Sequence, residues 1–140
     1  MPPQTAIPAA VESPIARIRG LDYVAIFARD MPAMRRFYAD IMRFPRGREL
    51  GDIWFEYRIG SSILALTRKG TIFHDAETPE GAAALQLAFR VAPGDVEECA
   101  EALRAAGVAI VAPPTDQPWG HRTLFFRDPD GNIVEIYADI

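Results

Sequence analysis

Residues 119–137 read WGHRTLFFRDPDGNIVEIY, which is two apolar runs joined by the turn sequence DPDGN at 128–132. Aspartate, proline, glycine and asparagine are the residues that tight turns favour, so this stretch predicts a β-hairpin with a positive φ at Gly131. Side chains alternate between the two faces of a strand. Ile133, Glu135 and Tyr137 are therefore expected on one face, which places a carboxylate among apolar groups.

The rest of the chain contains the same order of elements twice, namely a strand, a helix and three strands. In the first copy, the apolar run LDYVAIFA at 21–28 predicts a strand buried on both faces, and Asp30 is expected to cap the amphipathic helix that follows. Gly107 is expected to close the helix of the second copy. The remaining predicted strands lie near 47–50, 53–59, 62–67, 85–91, 108–111, 122–127 and 132–138, with the loop 113–119 as an extra feature of the second copy.

A single sheet with a helix on one side leaves its other face uncovered, so two such units are expected to share a cavity. The predicted fold is α+β, with two βαβββ modules forming curved mixed sheets around a cleft. Residues 1–18 are interpreted as a flexible N-terminal arm, and residues 19–140 as one domain. Within that domain the predicted parts are module one at 19–69, a linker at 70–83 and module two at 84–140.

Composition narrows the class of partner. The 140 residues are 49% hydrophobic and carry a formal net charge of -4, which gives no basic surface for nucleic acid. The single cysteine, Cys99, excludes an internal disulfide, and its helical spacing from Val96 and Leu103 places it in the core. The start of the chain, rich in proline, resembles neither a secretory signal nor a membrane span. We therefore expect a cytoplasmic protein that does not bind membranes.

The repeat, the opening stretch LDYVAIFARDMPAMRRFY at 21–38 and the closing stretch WGHRTLFFRDPDGNIVEIY together resemble the vicinal oxygen chelate superfamily. This family includes glyoxalases, bleomycin-resistance proteins, methylmalonyl-CoA epimerases and extradiol dioxygenases. The resemblance covers residues from about 18 to 140. It implies paired modules, a homodimer and a ligand bound inside the curved sheets, but it does not imply one reaction.

In the metal-dependent members of that family, the first and last strand of each module each supply one ligand, commonly His or Glu. The corresponding positions here are Tyr23, Ala65, Gln86 and Glu135. Alanine has no donor atom and a neutral tyrosine is a poor ligand, whereas a catalytic ion needs about three protein ligands. We therefore predict that this site holds no metal and no other cofactor, with a divalent Zn, Ni, Mn or Fe ion as the alternative.

Other side chains are candidates for contact with a ligand or for chemistry. Glu135, Tyr23 and His121 are the predicted acid–base groups, although each has a simpler interpretation as a structural or surface residue. No nucleophile elbow, phosphate loop or paired-cysteine motif is present in the sequence. The predicted ligand-binding residues are Tyr23, Trp54, Gln86, Arg90, Trp119, Phe125, Glu135 and Tyr137.

Three hypotheses about function follow. The first is a protein that binds a small hydrophobic or cationic organic molecule in an aromatic, partly acidic cleft, without the usual metal. The second is an enzyme of the glyoxalase, dioxygenase or epimerase type, acting as a lyase, isomerase or oxygenase. It would use non-standard metal ligands or acid–base chemistry. The third is a structural or regulatory module that binds nothing tightly.

Overall fold

The computed structural model describes residues 13–68 and 73–140, and it contains two four-stranded sheets. Of the predicted arm, residues 1–12 lie outside the described part, and Pro14–Arg17 form a short 3-10 turn. Residues 70–72 of the predicted linker also lie outside it. The strands are β1 (Val24–Phe27), β2 (Arg46–Leu50), β3 (Trp54–Ile59), β4 (Ser62–Thr67), β5 (Gln86–Arg90), β6 (Ile110–Asp116), β7 (His121–Arg127) and β8 (Ile133–Asp139).

The two sheets have the same topology, which confirms the predicted repeat. Their strand orders are β1-β4-β3-β2 and β5-β8-β7-β6. In each sheet the first and last strands of the unit pair in parallel at one edge, and the other pairs are antiparallel. A helix follows the first strand of each unit, because parallel neighbours need a crossover connection. The α+β class with two βαβββ modules is therefore confirmed.

Each helix begins and ends where the sequence indicates. Helix α1 (Met31–Arg36) starts after Asp30, whose side chain accepts a hydrogen bond from the backbone N–H of Ala33 at 3.1 Å. It continues as a π-helical turn (Phe37–Ile41), and α2 (Asp95–Ala105) is followed by Gly107 at φ +83°. Among the described residues, no helix is long and apolar enough to cross a membrane.

The helices cover one face of each sheet, called here the helix face, and leave the opposite face, called the open face. Buried residues of both sheets and both helices form one hydrophobic core on the helix faces. The prediction that the first strand is buried on both faces is wrong, because Tyr23 and Phe27 on the open face are 46% and 45% exposed. Phe73 contacts this face, because its ring meets that of Phe27 with 5.7 Å between centroids, but both rings remain about half exposed.

Cys99 packs at the edge of this core. It is half-buried, and burial, followed by the nearby charges of Asp95 and Glu98, raises the pKa of its thiol. A raised pKa opposes formation of the reactive thiolate. This agrees with the interpretation of Cys99 as a packing residue.

The sixth strand differs from the prediction. Strand β6 extends through Pro113 and Pro114, whereas the sequence predicts a loop there. Proline lacks a backbone N–H, so it is tolerated in a strand only where no ladder bond is needed. β6 lies at the edge of its sheet, and its register against β7 shifts between Ala112 and Thr115, so the two prolines fall in an irregular stretch of an edge strand.

The DPDGN turn also joins the two modules. The carboxylate of Asp128, which is 4% exposed, accepts hydrogen bonds from the backbone N–H groups of Asp130 and Asn132 and from the Asn132 side chain. It also accepts one from the hydroxyl of Tyr38 in module one, at 2.8 Å. Burial, followed by the charge and hydrogen bond of Asp128, raises the pKa of Tyr38 well above its usual range, so this hydroxyl remains a donor.

A second contact links the same turn to the start of α1. The Asp130 carboxylate accepts hydrogen bonds from the backbone N–H of Arg29 at 2.7 Å and of Asp30 at 3.2 Å. The Arg29 guanidinium donates in return to the backbone carbonyl of Asp130 and to that of Thr78. Two aromatic pairs, Phe37 with Phe126 and Phe44 with Phe89, complete the junction between the modules.

Substitution of Gly131 by valine should destabilise the protein by about 1 kcal/mol or more. The residue has φ +89°, a conformation that a β-branched side chain adopts at a large steric cost. Gly20, which has no positive φ and no atom within 4 Å of an added Cβ, provides the matched control. Chemical denaturation of both variants measures the effect, and equal stability of the Gly131 and Gly20 variants would contradict the prediction.

Candidate functional site

The open face of the second sheet brings several predicted site residues together. Gln86 donates from Nε2 to Oε1 of Glu135 at 3.1 Å. Their strands are parallel neighbours, with Ala88 directly beside Glu135 and Arg90 beside Tyr137. Along β8 the residues of this face are half-buried while their alternates are buried, as the hairpin sequence predicts. The result is a carboxylate fixed by an amide on an accessible surface.

Four polar and aromatic groups form a cluster at the end of this face, called here the rim cluster. Arg90 donates from Nε and Nη2 to the hydroxyl of Tyr137 at 3.1 and 3.0 Å. The imidazole of His121 stacks on the Tyr137 ring with 4.5 Å between centroids. Nε2 of the same imidazole lies 3.2 Å from an Asp139 carboxylate oxygen. A histidine oriented by a carboxylate is an arrangement that can take up and release a proton.

The two remaining candidates of module two are placed differently. Phe125 lies directly across from Glu135 on the neighbouring strand and is half-buried, so it contributes an apolar wall to the open face. Trp119 lies in the turn before β7 and is 63% exposed. No ring contact joins Trp119 to the other predicted site residues within the described part of the chain.

The open face of the first sheet carries an aromatic and acidic corner. The rings of Tyr23 and Trp54 meet edge to face, with 5.3 Å between centroids and an interplanar angle of 88°. The indole Nε1 of Trp54 donates to Oε2 of Glu56 at 2.8 Å. Trp54 and Glu56 are alternate residues of β3, so they share this face. We call Tyr23, Trp54 and Glu56 the aromatic–acidic corner.

Ala65 lies beside this corner and has no solvent exposure. On the open face it pairs with Ala25 on β1 and with Glu56 on β3. Tyr23 directly precedes β1 and Trp54 is on β3. These two strands flank β4 on opposite sides, so the contact between the two rings closes over Ala65. The space that the missing side chain would fill is therefore occupied by aromatic rings.

The four family ligand positions are divided between the two sheets of this chain. Gln86 and Glu135 lie on the second sheet, whereas Tyr23 and Ala65 belong to the first. Within residues 13–68 and 73–140, no hydrogen bond, ion pair or ring contact joins the two pairs, and no group of three or more His, Cys, Asp or Glu residues could hold an ion. Ala65 offers no donor atom and is covered, so the residues present do not fit the metal that the family implies.

A pocket of about 620 Å³ lies at the junction of β1, the segment after residue 72 and the DPDGN turn. Phe27, Arg68, Phe73, Leu85 and Asp130 are among its lining residues. None of the predicted site residues lines it. Ala25 and Phe27 also line the pocket, and both belong to the open face of the first sheet, so the pocket adjoins that face.

Sequence reasoning missed two residues of these surfaces, Glu56 and Asp139. The signal for Glu56 was present, because alternation along WFEYRI at 54–59 places it on the same face as Trp54. The signal for Asp139 was weaker. Asp139 lies directly across from His121. This pairing depends on the register between β7 and β8, which the sequence of one strand does not specify.

Comparison with known proteins agrees with this architecture. The Glyoxalase/Bleomycin resistance protein/Dioxygenase superfamily model matches residues 20–136. A glyoxalase/bleomycin resistance protein/dioxygenase from Nocardioides superposes with a TM-score of 0.77 at 21% identity, covering 98% of this chain and 92% of that one. For a lactoylglutathione lyase from Agrobacterium tumefaciens, the TM-score is 0.70 at 23% identity, with 86% and 94% coverage.

A third solved structure, a glyoxalase/dioxygenase from Nostoc punctiforme, gives a TM-score of 0.70 at 22% identity and covers 91% of this chain and 95% of that one. At these identities the structures establish a shared fold, while the family model spans most of the sequence. The chain therefore belongs to the glyoxalase/bleomycin resistance protein/dioxygenase superfamily.

Proposed function

We propose that the protein binds a small organic molecule in an aromatic, partly acidic cleft that forms where the open faces of two copies meet. The unit would be a homodimer, and binding would not use the metal site usual in the family. A cytoplasmic location remains a prediction of the sequence.

The observation that supports this proposal most directly is the state of the open faces in one chain. The modules pack through their helix faces, yet the open faces carry accessible aromatic rings and carboxylates, including Tyr23, Trp54 and Glu135. An accessible face of this kind is typical of an interface or a ligand site. A second copy would cover both open faces at once and would enclose a cleft between them.

The chemistry of the two faces suits a ligand with an apolar body and a polar end. The Tyr23, Trp54 and Phe125 rings offer flat apolar surface. The carboxylates of Glu56 and Glu135 are each fixed by one hydrogen bond from a neighbouring side chain. Fixed polar groups of this kind orient one end of a ligand without the cost of ordering them on binding.

Light scattering at micromolar concentration should give the mass of a dimer. Ligand-observed NMR with a library of small aromatic fragments should then detect binding, which Ala88→Trp should abolish because Ala88 is exposed beside Glu135 on the open face. Ala102→Trp, on the solvent side of α2, is the matched control and should bind fragments as the unmodified protein does. A monomer mass, or unchanged fragment binding by Ala88→Trp, would contradict the proposal.

The rim cluster favours a second candidate function, an enzyme that uses acid–base chemistry. His121 paired with Asp139 can accept a proton from a bound substrate, and Tyr137 held by Arg90 can donate a hydrogen bond to developing negative charge. The activity to assay first is that of a lactoylglutathione lyase, the class of one structural neighbour. Turnover that His121→Gln reduces at least about 100-fold, as expected for loss of a general base, would favour this candidate over simple binding.

A further inference from the structure

We propose that the aromatic–acidic corner of Tyr23, Trp54 and Glu56 receives the positively charged head group of the ligand. The ligand class would then be organic cations, meaning amines, amidines or quaternary ammonium compounds with an apolar or aromatic body. This inference rests on the proposed binding function and adds to it the charge of the ligand and the residue that selects it.

Module one carries its acidic group on the open face at Glu56. The family resemblance implies a carboxylate at position 65, and this chain has alanine there. Glu56 pairs directly with Ala65 across β3 and β4, so its Cβ stands about 5 Å from that of Ala65 on the same face. The open face therefore carries a carboxylate on β3, one strand away from the family's metal-ligand position on β4.

The Glu56 carboxylate has small residues beside it across the sheet. Its neighbours across the sheet are Gly47 on β2, where an added Cβ would lie 3.3 Å from Cβ of Glu56, and Ala65 on β4, followed by Ala25 on β1. None of these three residues has a side chain larger than a methyl group. Ala65 is itself covered by the rings, and Cγ of Arg58 lies 3.6 Å from an added Cβ at Gly47, so the row is not open along its length. Glu56 is half-buried, and a head group can reach its carboxylate from the solvent side, next to the exposed Tyr23 ring.

Charge also favours a cationic head group beside Glu56. Trp54 donates a neutral hydrogen bond to Oε2 of Glu56, which positions the carboxylate but leaves its negative charge in place. Arg58 lies two residues along the same strand, yet no ion pair involves Glu56 within the described residues. A partly buried carboxylate without a cationic partner attracts a positively charged group, and it disfavours an anion.

The Tyr23 and Trp54 rings favour a cationic head group as well. An organic cation is attracted to the face of an aromatic ring, most strongly to that of tryptophan. Trp54 and Tyr23 are nearly perpendicular, so they form two walls of a corner whose third side is the Glu56 carboxylate. A cation in this corner would be attracted by the charge of the carboxylate and by a ring face together, an attraction that neither a neutral nor an anionic head group gains.

The test uses three probes that share a phenyl ring and differ in the charge of the head group: benzylamine, benzyl alcohol and benzoate. Isothermal titration of the unmodified dimer should show benzylamine binding at least about tenfold more tightly than benzyl alcohol, with benzoate weakest. Added sodium chloride should weaken the binding of benzylamine and leave that of benzyl alcohol unchanged. The salt measurement needs no variant, so it holds even if a substitution disturbs folding.

Glu56→Gln should lower the affinity for benzylamine until its preference over benzyl alcohol disappears. Glu49→Gln is the matched control, because Glu49 is an exposed glutamate of β2 that pairs with Phe55 and so lies on the other face of the sheet. It should keep the preference. Equal affinity for the three probes, or an unchanged preference in Glu56→Gln, would overturn the inference and leave the binding function standing. Failure of all three probes to bind would overturn both.

Discussion

Replacing Asp128 by alanine should lower the free energy of unfolding by about 3–5 kcal/mol. The carboxylate is buried and accepts four hydrogen bonds, one of them from the Tyr38 hydroxyl of the other module. The alanine variant would leave that buried hydroxyl and the Asn132 amide without their acceptor. Denaturant unfolding followed by circular dichroism measures the loss.

Two matched variants separate the sources of this effect. Tyr38→Phe removes a single hydrogen bond of the group and should cost about 1 kcal/mol. Asp52→Ala changes the same residue type at an exposed turn position and should stay within about 0.5 kcal/mol of the unmodified protein. If Asp128→Ala were as stable as Asp52→Ala, the turn would not hold the modules together as the hydrogen bonds indicate.

Tyr23→His combined with Ala65→Glu should raise the affinity for zinc, nickel or manganese by several orders of magnitude. The new imidazole and the new carboxylate would lie on adjacent strands of one open face, next to the existing carboxylate of Glu56. Three donors then converge, which is the number that a bound ion generally requires. Loss of the Tyr23 ring also opens the space over position 65, where a larger side chain must fit.

Calorimetry on the single variants supplies the controls. Ala65→Glu alone forces a carboxylate beneath the two rings and beside Glu56, so it should destabilise the fold and gain little metal affinity. Adding Glu56→Gln to the double variant should reverse part of the increase in metal affinity. No gain in the double variant would show that these positions are not equivalent to the family ligands. Tight binding by the unmodified protein, abolished by Glu135→Ala, would instead favour a metalloenzyme.

The features that the sequence predicts correctly are those fixed by neighbouring residues. Capping by Asp30 follows from the residue type and its place before Pro32. The positive φ of Gly131 follows from the turn composition, and the shared face of Ile133, Glu135 and Tyr137 follows from alternation. Predicting that Gln86 lies near Glu135 also required an alignment of the two copies of the repeat, because alternation within one strand does not identify neighbours on another strand.

The features that the sequence could not supply depend on how distant parts of the chain meet. The same alternation that identifies the two faces of β1 does not say that Tyr23 and Phe27 on its open face remain about half exposed within one chain. The closing of Tyr23 and Trp54 over Ala65 depends on the order of three strands. The strand conformation of Pro113 and Pro114 depends on β6 being an edge strand, which follows from tertiary structure alone.

The contacts of the DPDGN turn have a consequence for the order of events in folding. Asp130 binds the backbone N–H of Arg29, which is 101 positions earlier in the sequence, and Asp128 binds Tyr38, which is 90 positions earlier. During synthesis, the first helix therefore emerges long before the groups that hold its start and bury its tyrosine. Native contacts of such long range slow folding, because the chain must close a large loop before it gains them. We expect the first module made alone to populate an open, aggregation-prone state until the last hairpin arrives.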